Sequence, residues 1–172
     1  MTTATDGALD SPRFIAVRQN DPFAAPLLDE LAIEYGTRYG DSAGPEYTDL
    51  RAYPGEEFDP PGGALIVALV RGVPVAGGAF RRYDASTAEL KRIWTASTHR
   101  KRGYGKLVVA ELERIARQRG YSRVYLTTGW RQPEAVALYL ATGYTPLYDP
   151  SLPAEAIGPH PFEKLLNTEG PA

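Results

Sequence analysis

Residues 99–108 read HRKRGYGKLV. Arg100, Lys101, Arg102 and Lys106 carry fixed positive charge, Gly103 and Gly105 give backbone freedom, and an apolar run with helical spacing follows. The first amides of a helix have no intrahelical partner, and the helix dipole adds partial positive charge there. Glycines let such amides converge on one point, and flanking cations add charge-assisted hydrogen bonds. This combination suits a phosphate or pyrophosphate at the mouth of a helix. The competing reading is a glycine-started helix with a solvated basic face. Two familiar phosphate loops do not fit. In G-x-x-x-x-G-K-[ST], Arg100 stands at the first glycine and Leu107 follows Lys106; in G-x-G-x-x-G, Val108 replaces the third glycine.

The elements that must carry this turn follow from hydrophobic spacing. RFIAVRQ at 13–19 mixes aromatic and β-branched residues and predicts a strand. Leu27, Leu28, Leu31, Ala32 and Tyr35 predict one face of a helix. Residues 40–63 are rich in glycine, proline and acids, and predict an irregular loop with a short helix near Tyr47–Ala52. ALIVALV and VPVAGGAF flank Arg71-Gly72 as a hairpin. TAELKRIWTAS at 87–97 predicts a further strand on which Glu89, Lys91, Ile93 and Thr95 share a face. A long helix should run from Gly103 to Gly120, with Leu107, Val108, Leu112, Ile115 and Ala116 along one side. SRVYLTT (122–128) is the next strand and QPEAVALYLATG (132–143) a shorter helix with Pro133 in its first turn. YTPLYD and HPFEKLL (160–166) are expected as closing strands. The order indicates a mixed α/β or α+β sandwich with helices covering a sheet.

At 172 residues, one domain with a sizeable core is expected. We place it at 13–167, between tails at 1–12 and 168–172. The first twelve residues lack a basic region followed by an apolar core, so they read as a frayed tail, and the expected compartment is the cytoplasm. Cysteine is absent, which excludes disulfides and thiolate chemistry, and two histidines argue against a zinc site; no metal is expected. The longest apolar runs are too short to span a bilayer, so no membrane partner is expected. Charge is unevenly placed. Residues 1–63 hold 4 Lys/Arg and 12 Asp/Glu, 64–131 hold 14 and 4, and 132–172 hold 1 and 5. A basic middle inside an acidic protein suggests a site for an anion. A pI near 5.7 and the lack of an aromatic-rich binding signature set nucleic acid behind a small anionic ligand.

Arg100-x-x-Gly103-x-Gly105 resembles the [Q/R]-x-x-G-x-[G/A] signature of the GNAT superfamily of acyl-CoA-dependent N-acetyltransferases. The stretch from 88 to 148 follows that family's register, through the basic turn, long helix, strand, short helix and the Gly143-Tyr144 pair. The resemblance implies the GNAT fold, a mostly antiparallel sheet of about six to seven strands with helices on both faces. It implies acetyl-CoA as co-substrate, its pyrophosphate on the turn formed by Arg100, Lys101, Arg102, Gly103, Tyr104, Gly105 and Lys106. It also implies a bulged strand whose residues Ile93, Trp94 and Thr95 pair with the pantetheine arm, the Ile93 amide meeting the thioester carbonyl. Glu89 takes the position of the general base and Tyr139 that of the general acid. Gln132 stands where the family often has asparagine, with an amide that can hydrogen-bond the cofactor.

The acceptor is less defined. Arg81, Lys91 and their neighbours Arg82 and Arg92 suit an amine that also bears a carboxylate, such as an amino acid, and Tyr47, Tyr53 and Phe58 are candidate pocket walls. The acidic loop with Asp41, Glu46, Asp49, Glu56, Glu57 and Asp59 would instead favour a polyamine or a basic protein tail. A small-molecule amine is the expected partner, and relatives are commonly homodimers. With no cysteine to carry an acyl group, direct attack in a ternary complex is expected. The rival from another class is a non-catalytic acyl-CoA sensor, which needs neither Glu89 nor Tyr139.

Overall fold

The computed structural model describes residues 11–40 and 49–166. Asp21 accepts the Phe23 N–H at 2.8 Å, capping a 3-10 turn that leads into helix α1, Ala25–Tyr39. Leu27, Leu28 and Leu31 are buried at the expected helical spacing, and Gly40 ends the helix at φ 53°. The following connection holds two 3-10 turns, Leu50–Ala52 and Gly55–Phe58. Asp41, Glu46 and Tyr47 lie outside the described residues.

The remaining elements follow the predicted order. Strand β1 (Arg13–Ala16) is shorter than predicted, and β2 (Ala64–Val70) turns into β3 (Val73–Asp84) through Arg71 and Gly72 at φ 52° and 79°. Two left-handed residues are what a type I′ hairpin needs to match strand twist. Then come β4 (Thr87–Thr95), α2 (Tyr104–Gln118), β5 (Arg123–Thr128) and α3 (Pro133–Ala141). The first closing strand is only two residues long (β6, Thr145–Pro146). A one-turn helix not anticipated from spacing (α4, Ala154–Ile157) precedes β7 (His160–Leu165). The seven strands form one sheet in the order β1-β2-β3-β4-β5-β7-β6, antiparallel except for the parallel pair β4–β5. No helix among the described residues is long and apolar enough to cross a membrane.

Both sheet faces are apolar because successive residues of β2 to β4 alternate between two cores. Ile66, Phe80, Ala88 and Leu90 pack under Val108 and Leu112 of α2. Leu65, Ala79 and Trp94 pack under Leu27, Leu28 and Leu31 of α1. Gly77 and Gly78 in the middle of β3 permit this double covering. A Cβ at Gly77 would lie 2.7 Å from the Ile66 carbonyl and 2.9 Å from Leu27 Cδ1. One at Gly78 would lie 2.6 Å from Ile93 Cδ1 and 3.1 Å from Val108. The two glycines thus let the helices approach from opposite sides at the same level of the sheet.

A buried carboxylate ties α2 to the far end of the sheet. Glu113, 4% exposed, accepts from the Tyr144 hydroxyl at 2.8 Å and from Lys164 Nζ at 3.0 Å. Lys164 also donates to the Thr142 carbonyl at 2.9 Å, so the end of α3 and β7 share one anchor with α2. Breaking one member would leave buried polar groups unmatched.

Gly77→Ala is expected to destabilise the fold by about 1–3 kcal/mol, because the nearest obstacle is backbone that cannot rotate away. Gly78→Ala should cost less, since its neighbours are side-chain ends. Thermal melts of the two variants check the order.

Candidate active site

The parallel pair β4–β5 holds for only three registered positions, Thr87 with Arg123, Ala88 with Val124 and Glu89 with Tyr125. Beyond them the strands part. A bulge in β4 accompanies the separation: Ala79 pairs with Lys91 and Gly77 with Trp94, so one residue of β3 faces two of β4. Arg92 occupies the bulge at φ 62°. The Ala96 N–H donates to the Val75 carbonyl at 2.8 Å. Strand alternation therefore turns the N–H of Trp94 toward β3 and those of Ile93 and Thr95 toward the open side. Those two donors edge a cleft of about 580 Å³ between β4, β5 and the starts of α2 and α3.

The bulge also corrects an expectation. Glu89, Lys91, Ile93 and Thr95 do not share a face, because the extra residue shifts the alternation. Ile93 packs against the α2 core, whereas Glu89 lies with Arg81, whose Nε donates to it at 2.8 Å. Lys91 Nζ stands 4.0 Å from the same carboxylate. Glu89 is 9% exposed and is not among the residues lining the cleft. Arg81 is likewise outside the lining, held by Glu89 and by Glu57 at 3.4 Å. Lys91 does line it.

At the other end, Lys101 and Gly103 take left-handed conformations, φ 62° and 89°, immediately before α2. Gly103 caps the helix without a side-chain hydrogen bond, and nothing lies within 4 Å of a Cβ built on it. The approach to the start of α2 is therefore open at Gly103, as an anion site requires. Gly105 is needed for another reason: its Cβ would come 3.3 Å from Leu138 Cδ2 of α3, where the two helix starts converge. Arg100, Lys101, Gly103, Tyr104, Gly105 and Lys106 all line the cleft, while Arg102 is exposed and does not. Arg100 Nε donates to the Thr95 carbonyl at 3.3 Å, joining turn to strand.

Tyr139 on α3 is 5% exposed and lines the middle of the cleft. Burial, helped by the nearby Tyr35, pushes its phenol well above the ordinary tyrosine range. Its ring meets Tyr144 at 5.5 Å and Phe162 at 5.8 Å, so it is fixed in direction. Gln132, at the start of α3, also lines the cleft, and its Oε1 accepts from the Tyr39 hydroxyl at 3.2 Å and the Gly129 N–H at 3.1 Å.

One wall was not legible in the sequence. Glu34, Tyr35 and Tyr39 of α1, with Trp130 after β5, close the side opposite α2. Tyr35 and Tyr39 continue the stripe begun by Leu27 and Leu31 at a spacing of four, which reads as core until the sheet opens beneath it. Glu34 is ion-paired with Arg38 at 3.0 Å and Arg100 at 3.7 Å. Glu134, the other carboxylate among the described lining residues, also pairs with Arg38. Arg92 lines the cleft as well and is 8% exposed. Its guanidinium donates to Gln19 Oε1 and, at 2.7 Å, to the Leu50 carbonyl, and lies over the rings of Tyr53 and Phe58. Both hydrogen-bond partners are neutral, and burial draws its pKa down to about 10.

A seven-stranded sheet with one parting parallel pair, a glycine-started helix and a cleft between them define an acyltransferase architecture. The chain belongs to the acetyltransferase (GNAT) family, whose family model matches residues 25–144. The human N-acetyltransferase 8 is 34% identical over 79 residues, 46% of this chain and 34% of that protein. Rat N-acetyltransferase 8 is 35% identical over 82 residues, 48% of this chain and 36% of that one. The chain thus spans about a third of the length of these two relatives. In fold it is similar to the PaiA N-acetyltransferase of Thermoplasma acidophilum in complex with coenzyme A. That match has a TM-score of 0.69 at 14% identity, covering 90% of this chain and 99% of the other. A GNAT-family acetyltransferase from Staphylococcus aureus Mu50 gives 0.66 at 14% identity, with 90% and 100% coverage.

Gly103→Ala should cost about 1–2 kcal/mol, because the left-handed backbone crowds a Cβ even where space is open. Gly36→Ala, inside α1 with nothing within 4 Å of its Cβ, should instead stabilise. Melting temperatures moving in opposite directions would verify that conformation, not contact, requires glycine at 103.

Proposed function

We propose that the protein transfers an acetyl group from acetyl-CoA to the primary amine of a small, carboxylate-bearing molecule, by direct attack within a ternary complex. The observation that carries this reading is the edge of β4 left unpaired by β5, ending at the glycine-capped start of α2. An extended amide-containing arm can pair with the Ile93 and Thr95 N–H groups as an added strand. A diphosphate at its far end then meets the amides following Arg102 and the charges of Arg100, Lys101 and Lys106. The thioester supplies the activated acyl group when bound.

The chain's own residues divide the remaining work. The Ile93 N–H faces the position of the carbonyl oxygen and stabilises negative charge that develops there during attack. The Tyr139 phenol gives its proton to the departing sulfur as the C–S bond breaks, and regains one from solvent. Its raised pKa keeps it protonated throughout the neutral and mildly alkaline range. Removal of the ammonium proton falls to solvent water at the open acceptor end. Glu34 and Glu134 are committed to Arg38, and Glu89 to Arg81.

For the acceptor, Lys91 and Arg92 replace the pair Arg81 and Lys91. Arg81 is occupied by two glutamates, whereas Arg92 has no carboxylate partner among the described residues. A buried guanidinium with only neutral acceptors is stabilised by an incoming carboxylate.

Tyr139→Phe should lower kcat by about 10²-fold, the low end for a lost general acid, while leaving acetyl-CoA affinity nearly unchanged. Unchanged turnover at saturating substrate removes the proton-donor role. Wild-type kcat/KM should rise with pH as free amine accumulates, with no alkaline fall below the ordinary tyrosine value of 10.0.

A thiol-release assay over matched acceptors tests the substrate class. Amino acids should be turned over in preference to their decarboxylated amines and to polyamines, and Arg92→Gln should abolish the preference. Acetyl-CoA binding without CoA release for any amine would instead identify a sensor.

A further inference from the structure

The end of α1 is fastened across the cleft to the turn between β5 and α3. Arg38 donates to the Arg131 carbonyl at 2.8 Å, and Arg131 donates back to the Arg38 carbonyl at 2.7 Å. Arg38 also pairs with Glu134 at the start of α3. Inside this clasp lies Tyr39. Its hydroxyl accepts the Arg131 N–H at 3.2 Å and donates to Gln132 Oε1 at 3.2 Å. The same oxygen takes the Gly129 N–H, and a Cβ on Gly129 would overlap the Tyr39 hydroxyl.

Two donors on one side of the Gln132 amide have a directional consequence. In an amide group the acceptor oxygen and the donor nitrogen share one plane and lie on opposite sides of the bond that joins the group to its side chain. With Oε1 held by Tyr39 and Gly129, the orientation of the amide is set, and Nε2 has no protein acceptor among the described residues. Gln132 lines the cleft, so its two N–H donors are available to a carbonyl or phosphate oxygen there.

We infer that Tyr39 is a positioning residue for the cofactor: it acts through Gln132, locking that amide with its donor end toward the acyl-CoA. This rests on the acetyltransferase reading above. The clasp itself does not need the phenol, since the reciprocal Arg38 and Arg131 bonds remain without it. The ring of Tyr39 also meets Trp130 edge-on at 6.2 Å, a contact that phenylalanine retains. What phenylalanine would lose is the bond accepted from the exposed Arg131 N–H, which water can replace, and the bond that orients Gln132. It also explains how glutamine serves where the longer side chain has one more torsion to restrain.

Calorimetric titration with acetyl-CoA, together with steady-state kinetics, tests the role in Tyr39→Phe, Gln132→Ala and the double variant. Tyr39→Phe should weaken cofactor binding roughly five- to tenfold, the effect of one hydrogen bond, with kcat at saturation changed less than about twofold. Gln132→Ala should do the same, and the double variant should lose no more than either alone. Gly129→Ala should reproduce the loss by displacing the hydroxyl. Unchanged affinity in Tyr39→Phe, or losses that multiply in the double variant, overturns the positioning role while wild-type binding keeps the enzyme assignment. If the wild-type protein takes up no acetyl-CoA, the acetyltransferase reading falls and this role falls with it.

Discussion

Two parallel strands that stop pairing after three residues impose the main constraint on this molecule. Backbone N–H and C=O groups in a sheet interior need partners, and leaving them open is tolerable only where water or a ligand can reach them. The Arg92 bulge turns β4 so that Ile93 and Thr95 present donors to the gap instead of to β5. The gap lies in the centre of a seven-stranded sheet, where closure would be the default. The surrounding elements keep it open: α1 crosses one side, the starts of α2 and α3 cross the other, and the Glu113 anchor fixes the distance between α2 and β7.

Glycine serves this opening in distinct ways. Gly77 and Gly78 bring the two helices close to the sheet, which sets the depth of the cleft walls. Gly103 supplies the left-handed turn that starts α2, and Gly105 lets α3 approach the beginning of α2. Gly129 makes room for the Tyr39 hydroxyl, which donates to Gln132 Oε1. Gly77, Gly78 and Gly105 are about packing, Gly103 about backbone conformation and Gly129 about room for a hydroxyl. Each would fail differently on gaining a methyl group.

The electrostatics of the cleft are divided as well. Its α2 end gathers cations with a helix dipole behind them. Its middle is aromatic, with Tyr35, Tyr39, Trp130 and Tyr139 around a low-dielectric passage. Its acidic members are already matched to Arg38 and Arg100, so they add little free negative charge. Lys91 and Arg92 put positive charge on the side of Tyr53, over whose ring both lie. Burial in this aromatic middle holds the Tyr139 phenol above its ordinary range.

Much of this was readable from spacing alone. The helix face of Leu27, Leu28 and Leu31, the Arg71-Gly72 hairpin, the long helix between Gly103 and Gly120 and the basic glycine turn are local patterns with local causes, so composition and period reveal them. Tyr139 and Gln132 were singled out by the family resemblance, and both line the cleft. The shared face expected for Glu89, Lys91, Ile93 and Thr95 was misread because one inserted residue at Arg92 reverses the side chains that follow it, and strand alternation cannot show where a bulge falls. The wall of Glu34, Tyr35, Tyr39 and Trp130 was missed because its members lie about ninety residues apart and meet only when α1 folds over the gap. Local order along the chain was therefore determined by the sequence itself, through periodicity, glycine conformation and capping. Which side chains face the opening was decided only by the tertiary structure, because two strands must part, and a third element must bridge them, before an inside exists.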